Sequence, residues 1–196
     1  MNKEIKEKHF CDNIDEYDLN FLLQIGKKWK RKILIVGESP APTGWIVSGK
    51  AFYNLKNKIV PSGLRLNKLL NCLDLSVEEC SFTEICKCFV GNDRKQIKHC
   101  ANKCWPIFLK QVYKINPQII ILLGLETLKI FNSNLNIDLK VGELASIEIN
   151  GYLVNILPIF HPSPINPNSL RLNNEIFKRL NSALTKIINN IKSLYE

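Results

Sequence analysis

No stretch of the 196 residues holds the roughly 18 consecutive apolar side chains that a membrane-spanning helix needs. The opening segment MNKEIKEKHFCDNIDEYDLN is too polar for the apolar centre of a secretory leader. Both absences predict a cytoplasmic protein that does not engage a membrane. There is no internal repeat, low-complexity block or linker, and the length suits one hydrophobic core rather than two, so a single domain over 1–196 is expected. Neither G-x-G-x-x-G nor G-x-x-x-x-G-K-[ST] occurs, which argues against a generic nucleotide-binding enzyme. A disulfide framework is equally poorly supported, because the seven cysteines are odd in number and the expected compartment is reducing.

What the chain does have is positive charge. Lys and Arg outnumber Asp and Glu by 27 to 18, a formal net charge of +9. Such an excess favours a polyanionic partner through release of counterions, with nucleic acid the leading candidate and a merely solvated basic surface the alternative. Residues 87–114 concentrate it, with seven Lys/Arg against one acid. The run KKWKRK at 27–32 abuts a strand and reads equally well as a solvated lead-in. The cysteines are also unevenly placed. Cys86, Cys88, Cys100 and Cys104 fall within 19 residues, whereas Cys11, Cys72 and Cys80 are scattered. Four sulfurs this close suit zinc or an iron–sulfur cluster, although cysteine also serves as a plain small core residue.

Hydrophobic periodicity gives alternating strands and helices. DEYDLNFLLQIG (15–26) begins acidic and ends on glycine, as helices do, so residues 1–31 read as a helical lead-in. KILIVG (32–37) is a buried strand. Leu66, Leu69, Leu70 and Leu73 form a core-facing helical stripe. CSFTEICKCFV (80–90) reads as a second strand, and WPIFLKQVYKIN (105–116) as a helix with Pro106 in its first turn. PQIIILLG (117–124) shows no alternation, which implies burial on both faces. The helix LETLKIFN follows. Residues 142–160 form two strands about a tight Asn-Gly turn, and 173–196 make a long amphipathic helix. The pattern predicts a three-layer α/β/α sandwich on a mostly parallel sheet of about four strands.

In such sheets the ligand lies beyond the carboxyl ends of the strands. The segments leaving those ends are GESPAP, TEICKC, GLETL and HPSPIN. The first fixes a turn that can aim backbone groups outward, and the last is a proline-stiffened loop carrying His161, Ser163 and Asn166. Taken singly, each has an ordinary structural reading. Their occurrence together at the strand ends of one sheet favours a site.

GESPA at 37–41, GKAF ending at Phe52, Lys87-Cys88, Cys104 two residues before Pro106, P-x-I-I-I-L-L-G at 117–124 and HPS at 161–163 resemble the uracil-DNA glycosylase superfamily, especially its iron–sulfur families four and five. The likeness covers roughly residues 33–170. It implies a monomeric, monofunctional DNA glycosylase of base-excision repair, which extrudes a damaged base into a pocket and hydrolyses its bond to deoxyribose. Gly37, Ser39 and Ala41 would offer backbone contacts to the base and the attacking water, Phe52 would stack on the base, and His161 would donate to the base oxygen that gains charge. Ser163 and Asn166, with Arg171, would grip the DNA backbone, and Leu170 or a neighbour would wedge into the gap. The cofactor implied is a 4Fe-4S cluster, with zinc the alternative.

The sequence departs from that pattern in three ways. The related families place two N-terminal cysteines two residues apart, whereas here only Cys11 is available; Cys86 and Cys100 have no counterpart there. Pro42 and Thr43 stand where family four has an acidic water-positioning residue, which leaves Asn54 and Glu38 as candidates for the water. Glu84 replaces the asparagine four residues before Cys88. A carboxylate accepts but does not donate, so Glu84 points to a cytosine-type or other modified base as the alternative to uracil. A DNA-binding member that has lost hydrolysis is the remaining alternative; a covalent sugar-capturing branch is disfavoured because no histidine follows Asn166.

Overall fold

The computed structural model describes residues 19–41, 44–90 and 95–196. Its frame is one six-stranded sheet: β1 (Leu23–Gln24), β2 (Ile33–Gly37), β3 (Ser81–Glu84), β4 (Ile119–Leu123), β5 (Ala145–Ile149) and β6 (Tyr152–Ile159), in the order β1-β3-β2-β4-β6-β5. The four inner strands β3, β2, β4 and β6 run parallel, and the short β1 and the β5 edge are antiparallel to their neighbours. The expected four-strand sheet is therefore the parallel centre of a wider one.

Residues of β2 and β4 are buried on both faces, as their unalternating sequence requires. Leu34, Val36, Ile120 and Leu122 pack one way, against Phe108 and Val112 of α3 (Lys95–Ile115) and Leu128 and Phe131 of α4 (Leu125–Leu135). Ile33, Ile35, Ile119 and Ile121 pack the other way, against Leu66, Leu69 and Leu70 of α2 (Pro61–Leu70) and Phe177, Leu184 and Ile188 of α5 (Ser169–Ser193). A single turn of helix, α1 (Trp45–Ser48), precedes α2. The three layers are those expected.

Three local expectations are corrected. Part of the N-terminal helix expected over 15–26 falls outside the described residues; from Leu19 onward the chain makes turns, then β1. Pairing wins over local propensity there: Leu23 and Gln24 align with Thr83 and Phe82, and the Lys27 N–H donates to the Glu79 carbonyl at 2.8 Å. The helix expected from Trp105 begins at Lys95, so Pro106 lies inside α3, where it forgoes the bond to the carbonyl four residues back. Strand β3 ends at Glu84, and Ile85 to Val90 leave the sheet as a loop carrying Cys86 and Cys88.

The run KKWKRK lies at the amino end of β2, the pole opposite the strand ends discussed below. Lys30 pairs with Glu79 at 2.8 Å, and Lys32 Nζ donates to the carbonyls of Ile115 and Asn116 at the end of α3. Its lead-in reading holds.

Candidate active site and thiol cluster

The carboxyl ends of the four parallel strands bring together Gly37 (β2), Glu84 (β3), Gly124 (after β4) and His161 (after β6). Two glycines make this convergence possible. Gly124 has φ +96, a conformation side chains rarely adopt, and a Cβ there would stand 3.1 Å from His161 Cβ. A Cβ on Gly37 would collide with the carboxyl oxygen Oε2 of Glu84, its register partner in the sheet.

His161 is exposed, and the loop that carries it is fixed from behind. Buried Asn173 accepts from the Phe160 N–H (3.0 Å) and donates to the Phe160 carbonyl (2.8 Å). Arg65 of α2 donates to the carbonyls of Ser163 (3.0 Å) and Asn166 (3.4 Å), and the Ser169 hydroxyl donates to the Asn166 carbonyl (2.8 Å). Ser163 Oγ accepts from the Ile165 N–H, and Asn166 Oδ1 from the Asn168 N–H, so both residues also shape the loop. Arg171 is exposed and pairs with Glu175 at 2.7 Å. Leu170 is half-buried against the α2/α5 core, whereas Ile165 at the loop tip is 91% exposed. Sequence reasoning missed Arg65, Asn173 and Ile165. Asn173 had a signal, being a polar residue three before Ile176 on the apolar stripe of α5.

Phe52 sits at φ +63, strained for a bulky L-residue, and is held there by its surroundings. Its ring meets Phe82 edge-on at 4.5 Å, its carbonyl accepts from the Val60 N–H at 2.8 Å, and its Cβ fills the space that Gly63 leaves. On either side in the chain, Lys50 and Tyr53 both bind Glu78, and the Lys50 ammonium lies 3.6 Å over the Tyr53 ring. Asn54 has a different task from the one expected. Its Oδ1 accepts from the N–H groups of Lys56 (3.0 Å) and Lys58 (3.1 Å), which closes a turn and leaves that oxygen no free lone pair for a water. Glu38 is half-buried beside the site, and its carbonyl accepts from the Cys86 N–H at 2.9 Å.

Alternation along β3 separates two environments. Phe82 and Glu84 face the Phe52 side, while Ser81 and Thr83 face α3. Glu84 is buried, and its Oε2 has no hydrogen-bond partner. Burial pushes its carboxyl up to about 8, opposed by the Lys87 ammonium and reinforced by the Glu38 charge. Lys87 is completely buried, and burial drives its ammonium down to about 7 despite nearby thiols and Glu84. Its three protons go to Thr83 Oγ1 (2.6 Å), the Glu84 carbonyl (2.5 Å) and Gln111 Oε1 (2.7 Å). Gln111 in turn donates to the carbonyls of Leu19 and Phe21, tying the N-terminal segment to α3.

The Sγ atoms of Cys86, Cys88 and Cys104 lie within 4.8 Å of one another, all buried. Among the described residues this is the one group with a ligand set for a metal. Cys100, one turn earlier on α3 and also buried, is not part of that triad, and Cys11 lies outside the described residues. The Lys87 N–H donates to Cys104 Sγ at 3.3 Å, as amides do around thiolate-bound metals. The Cys86 thiol is held far above its ordinary value, first by hydrogen bonds with the Cys104 and Cys88 sulfurs and then by burial. A bound cation reverses that preference by ionising the thiols, so three converging sulfurs fit a zinc ion or iron–sulfur cluster. Protein isolated under reducing, anaerobic conditions should carry metal in a fixed ratio to chain. Cys104→Ser should lower that ratio several-fold and depress the melting temperature; metal-free wild-type protein would refute the assignment.

The model of the uracil DNA glycosylase superfamily matches residues 23–185, which spans the whole sheet and the loops at its carboxyl ends. The chain belongs to that superfamily. It is similar to a type-4 uracil-DNA glycosylase of Saccharolobus solfataricus, with 28% identity over 164 residues covering 80% of this chain and 73% of the relative. A type-4 uracil-DNA glycosylase of Archaeoglobus fulgidus is 23% identical over 168 residues, covering 83% and 80%.

Proposed function

We propose that the protein is a monofunctional DNA glycosylase of base-excision repair that hydrolyses the bond between deoxyribose and an extruded base, with uracil the first substrate to test. The observation that carries this reading is the convergence of His161, Glu84 and Gly37 at the strand ends beside the braced Phe52 ring, in a chain of this superfamily. Both relatives are named for excision of uracil from DNA.

The geometry supports a division of labour. Phe52 offers a fixed aromatic face for the base, and its backbone strain is held by contacts that exist before substrate arrives. As the bond from C1′ to the base nitrogen breaks, negative charge moves onto the base oxygens, and the His161 imidazole donates to that charge. Water, oriented by Glu38 and the main chain of Gly37 to Ala41, adds to C1′. Its proton ends on the departing base or solvent. Cys86, Cys88 and Cys104, with Cys100 or Cys11 as the source of a fourth sulfur, would hold the metal, whose chemistry would be to cross-link the loop after β3 to α3.

Ser163 and Asn166 present the loop to the DNA backbone, and Arg171 adds charge beside it. For the wedge, exposure favours Ile165 over Leu170. Ile165→Gly should therefore slow release of base from duplex DNA more than from single strands, whereas Leu170→Ala should act mainly on stability. This reading carries with it a monomer working in the compartment that holds the DNA.

The direct test is base release by wild-type protein from oligonucleotides carrying uracil, hypoxanthine, xanthine, a thymine mismatch or a modified cytosine, each single- and double-stranded. Release of any of these supports a glycosylase. Tight DNA binding with no release from the whole panel would leave a non-hydrolytic DNA-binding protein.

A further inference from the structure

Between Phe52 and α2 the chain folds into a tight hairpin. Tyr53 and Ile59 form an antiparallel bridge, the Val60 N–H donates to the Phe52 carbonyl (2.8 Å), and the Asn54 N–H donates to the Lys58 carbonyl (3.0 Å). The tip is closed from within: the Asn57 N–H donates to the Asn54 carbonyl (2.9 Å), Asn57 takes the left-handed φ of +53, and Asn54 Oδ1 holds the Lys56 and Lys58 N–H groups. All of these bonds are made by main chain or by the Asn54 amide, so the turn forms without help from the side chains of Leu55, Lys56 and Lys58. Leu55 stands 73% exposed at the tip. Lys56 and Lys58 are exposed beside it, and their ammonium groups have no partner among the described residues. A single exposed leucine is ordinary on a protein surface. This one stands among cations left free to bind an anion, on a hairpin whose base is part of the site. Tyr53 is braced with Lys50 on Glu78, and Val60 leads into α2, whose Arg65 holds the carbonyls of Ser163 and Asn166. The hairpin and the loop bearing Ile165 are thus fastened to the same helix.

We infer that this hairpin is a second DNA-contacting element: Leu55 packs on a base that flanks the extruded nucleotide in the same strand, and Lys56 and Lys58 hold the phosphates on either side of that base. The inference rests on the function proposed above. Three residues separate Phe52 from Leu55, so the tip lies within about 10 Å of the ring that faces the extruded base. The extruded nucleotide stays covalently joined to its neighbours, and the damaged strand must therefore pass through that radius. An apolar side chain against a base face with lysines on the backbone is a contact that reads no sequence and tolerates any flank. It also needs no second strand. In this it differs from Ile165, whose expected task is to fill a gap in a duplex.

Equilibrium binding to oligonucleotides carrying a tetrahydrofuran abasic analogue tests this without knowledge of the excised base. Leu55→Ala should weaken binding about 5–30-fold, the range expected when most of a leucine side chain loses its burial, and should do so on single strands and duplex alike. Leu55→Phe keeps an apolar face for the base and should bind at least as tightly as wild type. Oligonucleotides that end at the analogue on its 5′ or on its 3′ side locate the contact: the difference between wild type and Leu55→Ala should vanish on one of the two and persist on the other. Replacing Lys56 and Lys58 together with glutamine should reduce the slope of log Kd against log salt by about 1.4 on single strands, two phosphates at about 0.7 each. The side chain is exposed and makes none of the bonds of the turn, so the melting temperature of Leu55→Ala should match wild type. Binding within twofold of wild type in Leu55→Ala, or a loss confined to duplex, overturns the inference while base release by wild-type protein keeps the glycosylase reading intact. Wild-type protein that neither binds these oligonucleotides nor releases any base removes both.

Discussion

Replacing His161 with alanine should slow base release by about 10²–10³-fold, the usual effect of removing one preorganised donor to a developing anion. The imidazole stands at the end of β6, above Gly124, on a loop whose carbonyls are pinned by Arg65 and Ser169. Such a donor loses little by reorganising when charge appears on the base. On the proposed reading, binding of intact DNA draws on Ser163, Asn166, Ile165 and the basic surface, none of which the variant touches. The dissociation constant for a duplex containing a non-cleavable base analogue should therefore change by less than about threefold, well under the tenfold that 1.4 kcal/mol represents. His161→Gln, which keeps an N–H donor, should recover part of the rate. A rate within a few-fold of wild type in the alanine variant would exclude His161 from the chemical step.

Asn173→Ala should produce the largest loss of stability among changes near the site. The side chain is fully buried and satisfies both the N–H and the carbonyl of Phe160. Removing it orphans two partly buried backbone groups, each worth about 1–3 kcal/mol, so the total is on the order of 2–6 kcal/mol. For a chain of this size, at about 2–4 °C per kcal/mol, that corresponds to a fall in melting temperature of about 4–24 °C. Phe160 immediately precedes His161, so a loosened backbone also moves the donor, and displacement by about 1 Å can cost on the order of 10²-fold in rate. Asn173→Asp keeps the acceptor and loses the donor, and should fall between wild type and alanine in both measurements. A melting temperature unchanged in Asn173→Ala would show that the clamp is not what fixes the loop.

The parallel centre of the sheet was legible because Ile33–Gly37 and Ile119–Leu123 are unbroken apolar runs, a pattern with few other solutions. The Asn-Gly turn and the strands flanking it were legible from chemistry tied to a left-handed backbone: Asn150 has φ +50 and Gly151 φ +85. The amino-terminal segment was not. Leu19 to Gln24 has the composition of a helix and is held instead by groups far away in sequence, Gln111, Thr83 and Phe82. The start of α3 was missed because Pro106 reads as a first-turn residue, and the stripe before it, Ile97, Cys100, Ala101 and Cys104, is built largely of cysteines that read as metal ligands and not as a core face.

At the site, Gly37 and His161 could be named from the strand ends they occupy, whereas Phe52 and Glu84 could be named only through the family resemblance. The turn that Asn54 Oδ1 closes with the Lys56 and Lys58 N–H groups was not legible, because an amide suited to holding water is equally suited to closing a turn. The stripe of α5 signals that Asn173 is buried, but its partner 13 residues away, like the Lys87 partner 24 residues away, lies at a distance where single-sequence patterns do not pair residues.

The two glycines at the strand ends also bear on how this family can diversify. Most of what the proposed site would present to a base hangs from the last residue of a strand or the first residues beyond it; Phe52, between α1 and α2, is the exception and is braced against the apolar layer below. Substitutions there can alter chemistry without disturbing the parts of the molecule that determine whether it folds. Gly37 limits that freedom in one direction: while Glu84 fills the space beside it, no larger residue can be accepted at position 37 until position 84 has changed. The order in which mutations can accumulate is thus constrained by two atoms in contact.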